Sequence, residues 1–218
     1  MSHALQKLLT WLSPAFPVGA FAWSAGLESA ISERAVTDSV SLQNWIGGAL
    51  AHGGIRTDAI ILAHAHRASE DTQRLRELAD LCLALTPAVE RHMETSITGD
   101  SFALAASAWP SPVYARLPQP CPYPIAVGAI AAAHGIGLDA TLLGYLTAAL
   151  HSQVSVAVRL VPLGQTEGLR VMAALEPEVT ALGAGAAMST LDDLGSIAYA
   201  ADIAQMRHET LEPRIFRS

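Results

Sequence analysis

The chain has 218 residues, a formal net charge of −7 and a hydrophobic share of 51%. This hydrophobic content excludes extensive disorder, and the acidic balance excludes the basic face that nucleic-acid binding requires. Charged residues make up only 15%, less than soluble monomers usually carry, which predicts that other protein covers part of the surface. The isolated cysteines Cys82 and Cys121, and an opening without a secretory pattern, predict reduced thiols and a cytoplasmic location.

The hydrophobic spacing predicts an all-α fold. Taken in chain order, the predicted helices before the middle of the chain are Ser41–Leu50, Thr57–Arg67, Glu70–Thr86 and Pro87–Trp109. Five prolines between Ser111 and Pro124 then predict an extended loop. The helices predicted after it are Ile125–His134, Asp139–Leu160 with Asp139 as its cap, two short helices in Gly164–Ser189 that meet near Glu176-Pro177, and Asp193–Leu211.

The proline-rich loop is interpreted as internal to one domain, because the helices on both sides are equally rich in alanine. The prediction is therefore a single-domain helical bundle of about nine to ten helices over residues 1–218, with a short C-terminal tail at about 212–218. The segment Ala140–Val158 has no formal charge and is long enough to span a bilayer. Its polar side chains, including His151 and Gln153, would be costly within a bilayer. They favour a buried helix in a protein that does not bind a membrane.

No pattern of catalytic residues is present. The chain has no P-loop lysine motif, and alanine stands where the first glycine of a nucleophile elbow at Ser24 belongs, which leaves Ser24 as a helix N-cap. Glu90 and Glu94, one helical turn apart, are interpreted as surface charge or as charge that complements a helix dipole. We therefore expect a binding protein rather than an enzyme, without a cofactor.

The histidines do not predict a metal site. His64 and His66 lie two residues apart, which places them on nearly opposite faces of a helix. The other histidines have no partner at the spacing of a zinc-like set. One alternative remains, a helical enzyme with an unrecognised site among His134, His151 and Glu167.

Three segments resemble the UreF family of urease accessory proteins. The first runs from Leu8 to Glu28 and contains a proline-valine-glycine turn, an aromatic residue and a glycine that opens a helix; its motif residues are Pro17, Val18, Gly19, Trp23 and Gly26. The second is Arg159–Gln165 and the third is Arg207–Ser218. Because the three segments occur in the family's order, the resemblance covers essentially the whole chain.

The resemblance implies an all-α homodimer that binds the accessory proteins UreD (also called UreH) and UreG, and apo-urease. In that family UreG is the GTPase, which agrees with the missing P-loop here. UreF bridges it to the other proteins so that nickel reaches the active-site lysine carbamate of urease. A protein that stores nickel is a further alternative function.

The resemblance also implies partner-binding residues near both chain ends, because the family's C-terminal tail orders on UreD. The predicted set is Glu28, Arg159, Gln165, His208, Glu209, Arg214, Phe216, Arg217 and Ser218. Arginine offers bidentate hydrogen bonds and phenylalanine an apolar anchor, as in interface hot spots. The alternatives are a frayed terminus for the tail and a charge at a helix start for Glu28. The chain departs from the family in the neutral stretch Thr95–Gly99 and at Ile215, where leucine is commoner.

Overall fold

The described part of the computed structural model, residues 2–218, is helical and contains no β-strand. Its ten α-helices are α1 (Ser2–Trp11), α2 (Leu27–Ser32), α3 (Ser39–His52), α4 (Gly54–Arg67), α5 (Thr72–Ala84), α6 (Val89–Ala106), α7 (Tyr123–Ala133), α8 (Leu138–Leu160), α9 (Gln165–Ala186) and α10 (Tyr199–His208). Three 3-10 helices occupy Ala20–Ala22, Pro112–Arg116 and Leu191–Asp193. The predicted all-α fold is confirmed.

The centre of the fold is the pair α4 and α7, which pack closely along their length. Helix α7 has no charged residue, and most of its side chains are buried. Gly128 makes the close approach possible, since a Cβ there would lie 2.5 Å from the carbonyl oxygen of Leu62 on α4. Small residues on α7 therefore place α4, which carries Asp58, deep in the molecule.

Helix α8 is long and apolar enough to cross a membrane by length and composition. In the fold it packs against α9, α4 and α2, and Leu142, Leu146 and Leu150 are buried. Core packing therefore accounts for part of its apolar character, since 44% of the 18-residue apolar window is buried.

The predicted break at Glu176-Pro177 is wrong, because α9 continues through Pro177. Pro177 lies on the exposed side of the helix, where water can bind the carbonyl that loses its N–H partner. Val171, Leu175 and Val179 are buried on the opposite side, against α3 and α8. This packing holds one helix where the local sequence predicts two.

The prediction of a final helix over Asp193–Leu211 is also wrong at its start. A 3-10 turn ends at Asp193, Gly195 has φ of +132°, and α10 begins only at Tyr199. The intervening backbone bonds to the junction of α3 and α4: Ile197 N–H donates to the carbonyl of His52 at 3.0 Å. Tertiary hydrogen bonds thus replace the first turns of the predicted helix.

One predicted helix start and one predicted cap are wrong. Helix α4 begins at Gly54, before the predicted start at Thr57. The residue before α8 is Gly137, and Asp139 lies in the first turn rather than at the cap. By contrast α5 follows its prediction closely, with its side chain cap at Asp71.

Helix α1 lies outside the predicted elements. It buries Leu8 and Trp11 and leaves Leu5 and Leu9 exposed. It packs on α8 at Gly144, where a Cβ would lie 2.8 Å from a methyl group of Leu12. This contact leaves an open cleft beside α1.

Candidate partner-binding site at the two chain ends

The N-terminal motif forms a turn that delivers Trp23 and Glu28 to the interior. Gly19 and Gly26 adopt left-handed backbone conformations, with φ of +73° and +80°, which glycine adopts without strain. Val18 and Trp23 are buried, whereas Pro17 is exposed.

Gly26 also allows α2 to touch α10. A Cβ at this position would lie 2.7 Å from the backbone nitrogen of Gln205. The motif glycine thus brings the N-terminal motif against the helix that leads into the C-terminal tail.

The C-terminal tail is docked on Glu28. The backbone N–H groups of Ile215 and Phe216 donate to its two carboxylate oxygens at 2.7 and 2.9 Å. Phe216 is buried, and both Glu28 oxygens lie inside the fold. The alternative of a frayed terminus is therefore wrong for this structure.

His208 joins Glu28 to a second glutamate. The imidazole is 0% exposed, with Nε2 at 3.0 Å from Glu28 and Nδ1 at 2.7 Å from Glu90. Carboxylates only accept hydrogen bonds, so both ring nitrogens donate when both glutamates are ionised. Arg214 donates to Glu90 as well, so this one glutamate binds α10 and the tail.

Two opposing effects set the ionisation of Glu28. Burial alone raises the pKa of its carboxyl, but the hydrogen bonds from His208, Ile215 and Phe216 together hold the pKa below its ordinary value of 4.5. Glu28 is therefore an ionised anchor for the tail, and its role is not limited to complementing the dipole of α2.

The last two residues pair with the backbone of the N-terminal motif. Arg217 N–H donates to the carbonyl of Ala22 at 2.8 Å, and Ser24 N–H donates to the carbonyl of Ser218 at 2.9 Å. The Ser24 hydroxyl donates to the same carbonyl, and Ala25 N–H donates to the Ser218 hydroxyl at 3.1 Å. Ser24 also accepts from the N–H of Glu28 at 3.3 Å. The N-cap of α2 is Gly26, however, so the prediction of Ser24 as a helix N-cap is wrong.

Side chains alternate along the docked tail, so that Phe216 points inward and its neighbours outward. The guanidinium of Arg159 lies 4.4 Å from the centre of the Phe216 ring, and that of Arg217 lies 4.9 Å from the Trp23 ring. We use the term tail face for the exposed side chains around this segment: Phe21, Arg159, Arg214, Ile215 and Arg217. The tail face combines three cations with two apolar side chains.

The nine predicted partner-binding residues divide by exposure. Glu28, His208, Phe216 and Ser218 are buried in contacts within the chain, whereas Arg159, Gln165, Glu209, Arg214 and Arg217 are exposed. Gln165 begins α9, and Glu209 accepts from the N–H of Val89 at the start of α6 at 2.9 Å. Partner binding by any of the nine stays a prediction.

Sequence reasoning missed a second ionic group beside this site. Arg91 on α6 donates to Asp58 on α4 at 2.6 Å, and the Tyr145 hydroxyl donates to the same carboxylate at 3.0 Å. Arg91 also lies 3.5 Å from Glu94. Burial raises the pKa of both carboxyls, and Arg91 only partly offsets this.

Glu90 and Glu94 are therefore not simple surface charges, although Glu90 lies in the first turn of α6, as the helix-start alternative predicted. The one available signal was a basic residue, Arg91, between two acids on a helix with few other charges. That spacing is equally typical of exposed ion pairs.

The residues of the alternative enzyme site have separate environments. His134 lies beside Lys7, with Nδ1 to Nζ at 3.1 Å, and beside Trp11. His151 is exposed on α8, and Glu167 lies in the first turn of α9. Within residues 2–218 no three histidine, cysteine or acidic side chains converge as metal ligands would.

Comparison with known proteins identifies the family. A family model described as UreF matches residues 36–176. A urease accessory protein UreF from Rhizobium etli strain CFN 42 is 49% identical over 216 residues, covering 99% of this chain and 97% of that protein. Its counterpart from Agrobacterium fabrum is 49% identical over 215 residues, covering 99% and 96%. A third, from Rhodopseudomonas palustris strain BisB18, is 47% identical over 222 residues, covering 99% and 92%. The chain therefore belongs to the UreF family of urease accessory proteins.

Proposed function

We propose that this chain is a non-catalytic adaptor in urease maturation, which bridges UreG to UreD and apo-urease while nickel is loaded. Membership of a family whose members are named urease accessory proteins supports a role in maturation. The observation that carries the bridging role is the tail face, since it presents arginine and apolar side chains together. Arginine is enriched among the few residues that dominate the binding energy of protein interfaces.

In this proposal the buried and exposed residues have different tasks. Arg159, Arg214 and Arg217 contact a partner, together with Gln165 and Glu209. Glu28, His208, Phe216 and Ser218 hold the tail in position, and Arg214 also contributes to this through its contact with Glu90. A segment that is already fixed before binding loses less conformational entropy when the partner arrives.

The proposal includes a homodimer and a cytoplasmic location. The charged share of 15% supports further protein contacts, because it leaves much of the surface apolar. One example is α10, which exposes Tyr199, Ile203 and Met206 at helical spacing on a single side.

The test is assembly of the purified chain with UreD and UreG, measured by size-exclusion chromatography with light scattering. The double variant Arg214→Ala/Arg217→Ala should lose the complex while keeping its helical circular dichroism. The matched control is Arg74→Ala/Arg76→Ala, which removes two arginines from α5, away from the tail. Equal assembly by both double variants would contradict the assignment of the tail face.

A further inference from the structure

An open cleft of about 620 Å³ runs beside α1. Its walls are apolar and come from several helices, with Leu8, Leu9, Trp45, Leu143 and Met172 among the lining side chains. The volume lies within the roughly 300–1,000 Å³ that ligand pockets span. Its rim is apolar too: Leu9 is 66% exposed and Phe21 71% exposed. An occupant that fills only the interior would leave this rim in water.

The floor of the cleft is ionic. Asp58, Arg91 and Glu94 all line it, and both carboxylates contact the guanidinium of Arg91. A second arginine, Arg159, lines the cleft as well, but its guanidinium lies over the ring of Phe216. Arg91 already forms an ion pair with Asp58, with a nitrogen–oxygen distance of 2.6 Å. Within the described part of the chain, the Glu94 carboxylate has two polar side-chain contacts, and both are long: 3.5 Å to Arg91 and 3.4 Å to the Ser218 hydroxyl.

A second acceptor in the same cleft has no donor. Gln205 on α10 lines the cleft and is 8% exposed. Its Oε1 is buried and has no hydrogen-bond partner among the residues that the structure describes. Buried acceptors are nearly always paired in folded proteins. The cleft therefore combines apolar walls with acceptors that need a donor-rich cation.

We propose that this cleft receives an apolar helical segment of a partner protein, and that one lysine or arginine of that segment reaches the floor at Glu94. The inference rests on the proposed adaptor function and names the chemistry of one of its contacts. Lysine brings three donors and a single positive charge, and arginine brings five donors. Either one would balance the excess carboxylate and supply the missing hydrogen bonds.

The shape and the chemistry of the cleft favour a helix over three other possible occupants: an extended segment, a metal ion and a small amphiphile. A helix pairs its own backbone groups, whereas an extended segment would leave them unpaired against apolar walls. A metal ion is disfavoured because Arg91 lies between the two carboxylates, and within residues 2–218 no third ligand joins them. A small amphiphile would leave Leu9 and Phe21 uncovered.

Photo-crosslinking in the assembled complex tests the occupant directly. A benzoylphenylalanine replaces Leu9 at the rim; the control position is Leu104, which is exposed on α6 and outside the cleft lining. In a purified complex with UreD, UreG and urease, position 9 should crosslink to one partner helix that has a lysine or arginine within about two turns. No partner crosslink, a yield equal to that from position 104, a segment without a basic residue, or a crosslink to a second copy would each overturn the inference.

A variant that removes the charge of Glu94 tests the proposed contact at the floor of the cleft. Glu94→Gln should weaken binding of the crosslinked partner at least about tenfold, since removing one member of a buried charge pair mainly speeds dissociation. Asp80→Asn, an exposed acid on α5, should leave the affinity unchanged. Leu9→Ser alters only the rim and should also weaken binding of the partner. If Glu94→Gln does not fold, Leu9→Ser alone tests whether the cleft binds the partner segment. If the complex assembles and urease is loaded with nickel while both cleft variants bind normally, this inference fails and the adaptor function stands.

Discussion

Replacing Glu28 with glutamine changes one carboxylate oxygen to an amide and removes the charge that anchors the tail. In the folded chain this carboxylate accepts from the N–H groups of Ile215 and Phe216 and from His208. Glutamine keeps a single acceptor atom, and its NH₂ group faces a donor. At least one tail N–H therefore loses its partner, and the tail detaches more often.

The size of the effect follows from these contacts. A hydrogen bond to a charged group contributes about 1.5–3 kcal/mol, and burial of a phenylalanine side chain contributes about 1.5–3 kcal/mol. The loss has an upper limit, because a released tail recovers hydrogen bonds to water. We expect the free energy of unfolding to fall by about 2–4 kcal/mol, in line with the loss of one charged bond and part of the Phe216 burial.

Urea denaturation measures the stability change, and hydrogen exchange at the Ile215 and Phe216 amides measures release of the tail. The matched control is Glu33→Gln at the end of α2, whose ion pair with Arg207 is exposed. That pair should contribute less than about 1 kcal/mol. Equal stability of the two variants, or unchanged amide protection at both tail positions in Glu28→Gln, would refute the reasoning.

Three further predictions concern pH, the space available to a Cβ atom at two glycines, and the proline within α9. Because the pKa of Glu28 is lowered on folding, its stabilisation is present above pH 4.5 and is lost as pH falls through the folded-state pKa. The protection factors of the tail amides should fall there in the wild type but not in Glu28→Gln. Gly99→Ala should lower the free energy of unfolding by about 3 kcal/mol or more, since the new Cβ would lie 1.9 Å from the carbonyl of Cys121. Its control is Gly48→Ala, where the new Cβ meets no atom within 4 Å. Urea denaturation should show that Gly48→Ala raises the free energy of unfolding by about 0.5–1 kcal/mol. Pro177→Ala should raise the thermal midpoint, because it restores a hydrogen bond in an exposed stretch of α9.

Much of the fold follows from local patterns. Apolar side chains at helical spacing predicted α5 and α6 to within a few residues, and the prolines between Ser111 and Pro124 predicted the interruption before α7. The errors occurred where distant residues decide the local structure. Helix α9 passes through Pro177 because buried side chains on the other side hold it, and the start of α10 is delayed by hydrogen bonds to the α3–α4 junction.

The candidate site could be predicted only in part. The family resemblance pointed to Glu28 and the tail, but exposure could not be read from the sequence, and four of the nine residues are buried. Asp58 and Arg91 are 33 residues apart, and their pairing depends on how α4 meets α6. No short spacing in the sequence signals a pair of this kind.

The most direct test of the account is the nickel content of urease purified from cells that contain UreD and UreG and either the wild-type chain, the Arg214→Ala/Arg217→Ala variant, or no copy of the chain. We expect nickel-loaded, active urease only with the wild-type chain, and nickel-poor urease in the other two cases although the variant is folded. Normal nickel loading without the chain would contradict the proposed role in maturation, and normal loading with the variant would contradict the role of the tail face.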